Sequence, residues 1–179
     1  MHYTLCDLFA DLTQNSVEAK ASYIIVEFLE TTSDITVYIR DNGKGMSEQT
    51  LKRATDPFYT DGIKHPKRKV GLGIPFLIQT ATDTNGKWNI TSTENVGTTV
   101  FACFDTTNID TPPIGDIPSF FRQILTFNAD YEMKIIRKKP NNSYELLRSE
   151  LIDALGNLQI ATNLVLLGEF LASQEEDEY

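Results

Sequence analysis

No apolar run in this 179-residue sequence approaches the roughly 18 consecutive residues that a membrane helix needs; stretches such as Leu164–Leu167 fall far short. Nor does the N-terminus, Met1-His2-Tyr3-Thr4-Leu5-Cys6-Asp7, show a basic leader or a small-residue cleavage site, and a cytoplasmic location is the expectation that follows. Cysteine is scarce, with only Cys6 and Cys103, so a disulfide framework or a CxxC metal site is excluded and both thiols are expected to be reduced packing residues. Positive charge is in deficit as well: 16 Lys+Arg stand against 25 Asp+Glu, a net charge of −9. A surface whose main task is to neutralise nucleic-acid phosphates would not be built this way. The sequence also lacks the GxxxxGK[ST] of a P-loop and the strand-following GxGxxG of a dinucleotide site.

What remains is a composition of 41% hydrophobic and 23% charged residues, that of a globular protein with one substantial core. Charge is unevenly spread. Residues 44–69 carry seven basic side chains (Lys44, Lys52, Arg53, Lys64, Lys67, Arg68, Lys69) against Glu48, Asp56 and Asp61. A cationic segment in an acidic chain suggests a small anionic ligand, or a solvated loop of no consequence.

The apolar spacing of Leu5, Leu8, Phe9 and Leu12 predicts an amphipathic helix over about residues 4–20. Strands follow at 23–30 and 35–40, joined by a turn, before Asp41-Asn42-Gly43-Lys44-Gly45 breaks the pattern. A long loop over 46–70 holds one short helix near 47–54, and Gly71-Leu72-Gly73-Ile74-Pro75 opens a helix running to about Asp83. A second hairpin pairs 87–93 with 98–104. After a linker at Asp110-Thr111-Pro112-Pro113 come a helix at 117–127, a third hairpin from 131–138 and 143–148, and helices near 150–154 and 162–172. Two regions result: 1–107, and an extension over 108–179 that packs on or extends the same domain.

Three groups of residues could carry chemistry. Asp11, Asn15 and Glu18 recur at i, i+4 and i+7, which aligns three oxygen-bearing side chains on one helix stripe. Such hard donors suit Mg²⁺, with Asn15 as the candidate ligand, and Asp11 could polarise a water or a hydroxyl nucleophile aimed at phosphate; a solvated helix face has the same look. In the second strand, Ile35, Val37 and Ile39 alternate toward one side, and the same parity carries Asp41 to that apolar side. A carboxylate there needs a donor, which the exocyclic amine of a purine offers; a satisfied strand-ending turn is the alternative. Gly71-Leu72-Gly73 at a helix start exposes backbone N–H groups that favour phosphate oxygens.

Together, and in this order, these segments resemble the GHKL ATPase superfamily of gyrase B subunits, heat-shock chaperones, sensor histidine kinases and MutL. Asp11-Leu12-Thr13-Gln14-Asn15-Ser16-Val17-Glu18-Ala19 is similar to its N box, in wording nearest to MutL, and Asp41-Asn42-Gly43-Lys44-Gly45-Met46 to its G1 box. Asp56-Pro57-Phe58-Tyr59-Thr60 and Val70-Gly71-Leu72-Gly73-Ile74 resemble the F and G2 boxes of histidine kinases, and Gly97-Thr98-Thr99-Val100 the closing Gly-Thr strand.

The resemblance implies an α/β two-layer sandwich of the Bergerat type, a mixed, mainly antiparallel sheet with helices on one face and ATP held between helices and lid. It also implies roles: Asn15 on Mg²⁺, Asp41 on the adenine amine, Thr98 at the adenine side, Gly43 and Gly45 close to the base, and Gly71 and Gly73 along the phosphates. Met46, Phe58, Leu72 and Ile74 complete the nucleotide contacts, and one of Lys64, Lys67, Arg68 or Lys69 reaches the γ-phosphate, with His65 an exposed loop residue. Asp11 stands where MutL and gyrase place a catalytic glutamate, shorter by one methylene. Two functions follow as expectations. One is a Mg-ATP-dependent ATPase or kinase passing phosphate to a separate protein; the other is a non-catalytic ATP-sensing module that controls a protein partner. A DNA-repair or topoisomerase fragment fits the acidic balance poorly. The helices beyond residue 110 are expected to cover or extend the sheet, with partner docking or homodimerisation as the sharper alternative, and neither nucleic acid nor membrane is an expected partner.

Overall fold

The computed structural model describes residues 3–56 and 73–176. In chain order the elements are α1 (Leu5–Glu18), β1 (Tyr23–Glu30), β2 (Asp34–Asp41), α2 (Glu48–Thr55), α3 (Gly73–Thr84), β3 (Lys87–Thr93) and β4 (Gly97–Asp105). They continue with α4 (Ile117–Leu125), β5 (Glu132–Lys138), β6 (Ser143–Leu147), α5 (Arg148–Leu155) and α6 (Ala161–Glu175). The predicted elements are all present, most with ends shifted by one or two residues; α6 runs three residues past its expected end, and α3 starts two residues before Pro75, which lies within its first turn.

The start of α1 is closed by side chain and linker together. Thr4 and Asp7 form a reciprocal capping box: the Asp7 N–H donates to Thr4 Oγ1 at 3.1 Å, and the Thr4 N–H donates to Asp7 Oδ2 at 2.8 Å. The N–H groups of Leu5 and Cys6, orphaned in any helix start, donate to the carbonyls of Pro113 and Ile114, both at 2.9 Å. The 105–116 connection is thus held against the end of α1 opposite to Asn15.

The six strands form one sheet in the order β3-β4-β2-β1-β5-β6. Every neighbouring pair is antiparallel except β1 with β5, which is parallel. One face carries Val26 and Phe28 of β1, Val37 and Ile39 of β2, Ala102 and Phe104 of β4 and Ile135 of β5, all buried beneath the helices. Leu8, Phe9 and Leu12 of α1 meet that face, and α1 in turn packs on α3 and α4, and α4 on α6. The edge-to-face contact of Phe9 with Phe28, 5.9 Å between centroids at 84°, sits at the middle of this layer. Each such buried side chain stabilises the fold by about 1.5–3 kcal/mol relative to exposure. The opposite face is half-exposed and carries aromatic and charged pairs: the Arg40 guanidinium lies 4.8 Å from the Tyr38 ring centre and donates to Glu27 at 2.9 Å.

One strand position breaks the apolar pattern. Arg137 on β5 points to the core face and is 1% exposed. Its Nε and Nη2 donate to the two carboxylate oxygens of Glu175 at 3.0 and 3.1 Å, Nη2 also meets Glu30, and Nη1 donates to the Lys138 carbonyl at 3.1 Å. The guanidinium lies 5.0 Å from the centre of the Phe28 ring, and the Tyr144 hydroxyl and the Lys139 ammonium add donors to Glu175. This fork ties the last turn of α6 to β1, β5 and β6. Glu175→Ala leaves the buried guanidinium with Glu30 as its one carboxylate partner and removes two charge-assisted hydrogen bonds, so it is expected to cost about 2–3 kcal/mol in chemical denaturation followed by circular dichroism. Arg137→Met leaves the Glu30 and Glu175 carboxylates facing one another without the cation they share and is expected to cost more than Glu175→Ala in the same measurement.

Candidate functional site

The core-facing parity of β2 runs Ile35, Val37, Ile39 and then Asp41, where the strand ends and the apolar layer opens into a cavity of about 260 Å³. Asn15, Ser16, Glu18 and Ala19 of α1 form one wall, and Leu12 lies at its base. Asp41 with Lys44, Gly45 and Met46 of the following loop forms a second, Thr98 and Val100 of β4 a third, and Ile74 of α3 closes the side toward α3.

Asp41 is held on both oxygens. The Gly43 N–H donates to Oδ1 at 2.8 Å, and the Ser16 hydroxyl donates to Oδ2 at 2.6 Å. Sheet register sets Thr98 directly opposite Asp41. The loop after Asp41 is pinned along its length. Asn42 accepts the N–H groups of Ser22 and Tyr23, each at 2.9 Å; the Lys44 N–H donates to the Ala19 carbonyl at 2.9 Å; the Asn95 N–H donates to the Lys44 carbonyl at 2.6 Å. Such a path demands glycine at two points. Gly45 has φ +60°, and a Cβ there would lie 2.0 Å from the Thr93 carbonyl oxygen; Gly97 has φ +143°, and a Cβ would lie 1.9 Å from the Asp41 oxygen. The loop and the β3–β4 turn therefore interlock backbone to backbone.

The structure thus brings Asn15, Asp41, Gly45, Met46, Ile74 and Thr98 to one cavity. Gly43 stands behind it, buried against Ala19, and Gly73 packs at the start of α3 against the α1 backbone at Asp11–Leu12. Asp11 lies one turn before Asn15 and is not on the cavity wall. Phe58, Lys69, Gly71 and Leu72, with Lys64, His65, Lys67 and Arg68, lie outside the described residues. Among the described residues no group of three or more His, Cys, Asp or Glu side chains is placed to hold a metal ion; Asn15 and Glu18 line the cavity beside Asp41.

Residues that the sequence did not single out complete the site. Ser16 orients Asp41; it sits inside the N-box wording, but nothing in its helical position announces a partner 25 residues away. Ser92 on β3 accepts the Met46 N–H at 2.8 Å and lies 2.8 Å from Thr98 Oγ1. Glu18 of the helix stripe and Lys44 of the basic segment, both named from the sequence, also line the cavity.

Residues 3–108 match the family described as histidine kinase-, DNA gyrase B-, and HSP90-like ATPase. Sporulation kinase C of Bacillus subtilis (strain 168) is 26% identical over 95 residues, which cover 52% of this chain and 21% of that protein. The sensor histidine kinase YvrG of the same organism is 28% identical over 100 residues, 54% of this chain and 17% of that one. A putative sensor protein of Shewanella frigidimarina (strain NCIMB 400) is 28% identical over 104 residues, 58% and 15% respectively. The chain therefore spans about a fifth or less of the length of the curated relatives it matches. Among solved structures, the N-terminal domain of a DNA repair protein aligns with TM-score 0.48 at 16% identity over 85% of this chain and 57% of that one. The catalytic domain of the histidine kinase ThkA aligns with TM-score 0.41 at 19% identity over 55% and 64%.

Fold and matched segment define an ATP-binding domain of the Bergerat type. The chain belongs to the histidine kinase-, DNA gyrase B-, and HSP90-like ATPase family, and it is a histidine-kinase-like ATP-binding domain. No helix of the described residues is long and apolar enough to cross a membrane.

Burial pushes the Asp11 carboxyl above the ordinary carboxylate range, and the neighbouring Asp7 charge adds to the shift. A raised folded-state value means that the folded protein holds this proton at a pH where the unfolded chain has released it. Stability is then lost as pH rises from the unfolded aspartate value through the folded one. Asp11→Asn is expected to raise the melting temperature at neutral pH, with the gain fading at acid pH where Asp11 is protonated in both states; thermal unfolding across pH measures it.

Proposed function

We propose that the cavity between α1, β2, β4 and α3 binds Mg-ATP, and that the bound nucleotide is hydrolysed or passes its γ-phosphate to a separate protein in a regulatory system. The observation that carries this reading is the Asp41 carboxylate, fixed by Ser16 and Gly43 at an otherwise apolar strand end and opening on the cavity. Two donors already engage it, and its remaining lone pairs can take a further donor, such as an N–H of a ligand. A purine amine supplies that donor while the flat ring lies between Ile74, Met46 and Val100. Adenine is the base, Thr98 its second polar contact, and Gly43 and Gly45 let the loop run close beside it.

Asn15 and Glu18 lie along the adjoining helix turn. Mg²⁺ takes one or two protein oxygens and completes its shell with phosphate and water, so the Asn15 amide oxygen at this wall suits it without a dedicated carboxylate cage. The family resemblance assigns the phosphates to Gly71 and Gly73 and to one of Lys64, Lys67, Arg68 or Lys69, with Phe58 and Leu72 as further nucleotide contacts. Asp11 is the proposed base, its raised proton affinity bringing it nearer the range where a carboxylate accepts a proton at neutral pH. Its place off the cavity wall, together with its short side chain, supports the second reading, a non-catalytic ATP sensor that alters affinity for a protein partner.

Calorimetric titration with Mg-ATP tests the binding step. Asp41→Asn places an amide where three donors converge, and a Kd raised at least about tenfold is expected. An unchanged Kd would remove the nucleotide assignment. Phosphate release separates the two readings: Asp11→Asn abolishes turnover with binding intact if the chain is an enzyme, and leaves an already negligible turnover unchanged if it is a sensor.

A further inference from the structure

Three hydrogen-bonding groups meet at Ser92. Its Oγ accepts the Met46 N–H at 2.8 Å, can donate to the Gly97 carbonyl oxygen at 3.2 Å, and lies 2.8 Å from Thr98 Oγ1, where either hydroxyl can be the donor. A backbone N–H can only donate, so Ser92 is obliged to accept from Met46 and to direct its own proton onward. The nearer acceptor is Thr98. A Thr98 hydroxyl that accepts from Ser92 has its own proton free, and Thr98 lines the cavity. With the Ser92 proton directed to the nearer Thr98 oxygen and not to the Gly97 carbonyl, the chain runs Met46 N–H to Ser92 to Thr98 to the cavity, and each bond polarises the next.

Opposite Thr98 in the register, Asp41 receives donors from Ser16 and Gly43 and is an acceptor only. The cavity so presents an acceptor and a donor side by side. A 6-aminopurine is complementary, with an exocyclic N–H donor next to a ring-nitrogen acceptor. A 6-oxopurine shows the reverse, a carbonyl acceptor next to a ring N–H donor, and would face acceptor with acceptor and donor with donor.

Resting on the nucleotide reading above, we propose that Ser92 is a positioning residue for base selection: it holds Thr98 as a hydrogen-bond donor and so lets the site distinguish 6-amino from 6-oxo purine nucleotides. Ser92 touches no nucleotide in this scheme; it acts through Thr98. The part of the selection that it controls is the orientation of one proton.

The test is titration of the parent, Ser92→Ala and Ser92→Thr with Mg-ATP and with Mg-ITP, with thermal unfolding run on each protein. The parent is expected to prefer ATP. Ser92→Ala is expected to lower the ATP-to-ITP affinity ratio about fivefold, the scale of one hydrogen bond, and Ser92→Thr to restore it by returning the hydroxyl. General loosening of the loop would weaken both nucleotides alike and leave the ratio unmoved. Should Ser92→Ala not fold, Ser92→Cys keeps the side-chain shape with a weaker donor, and its ATP-to-ITP affinity ratio is expected to fall below the parent's. An unchanged ratio in the folded variant, or a parent that binds ATP and ITP equally, overturns the role of Ser92. A parent that binds neither nucleotide overturns the nucleotide reading itself.

Discussion

A carboxylate at the end of a core strand has to be held by donors, and in this protein that requirement organises the whole neighbourhood of the cavity. Asp41 continues the parity of Ile35, Val37 and Ile39, so β2 delivers it to the helix side of the sheet whether or not a partner is waiting. Ser16 comes from α1 and the Gly43 N–H from the loop that follows, one for each oxygen. Satisfying Asp41 therefore fixes the distance between helix and strand and the first bend of the loop at once. The loop can bend so only because Gly45 and Gly97 admit backbone where a side chain would collide.

That clamp depends on the rest of the fold to keep α1 in place. The helix is gripped at its start by the Thr4–Asp7 capping box and by the carbonyls of Pro113 and Ile114, and along its buried stripe by Leu8, Phe9 and Leu12. The linker that supplies those carbonyls leads into α4, whose Phe120 and Phe121 pack beside Phe28. Residues after 108 thus support the helix that carries Asn15 and Ser16, although the matched family segment ends at 108. At the far side of the sheet, Arg137 and Glu175 tie α6 to β1 and β5. The buried guanidinium, shared by two carboxylates from different elements, holds the α6 end against the sheet.

The local elements were legible because each obeys a short-range rule. Alternation in 23–30 and 35–40, the Leu5/Leu8/Phe9/Leu12 spacing and the turn residues after β3 all lie within a few positions of the residues they govern. The motif wording around Asn15, Asp41 and Thr98 carried the family, and the parity argument carried Asp41 to the helix side. Ser16 and Ser92 were not legible. Serine has no spacing signature, and what makes these two matter is contact with residues 25 and 46 positions away. Asp11 shows the opposite case: its place in the motif was plain, while the structure leaves it out of the residues that line the cavity and sets the start of α3 at Gly73 against its backbone.

By itself the sequence determined which segments are helix and strand, which side of β2 carries its carboxylate and to which family the chain belongs, since periodicity, turn chemistry and motif order are local properties. Only the tertiary structure decided that β5 enters the sheet parallel to β1, that Arg137 is buried among carboxylates of β1 and α6, and that a backbone N–H, two hydroxyls and an aspartate converge on one cavity. Those arrangements join residues far apart in the chain, and their energies depend on burial and on the direction of hydrogen bonds, neither of which exists until the sheet and its helices have closed over one another.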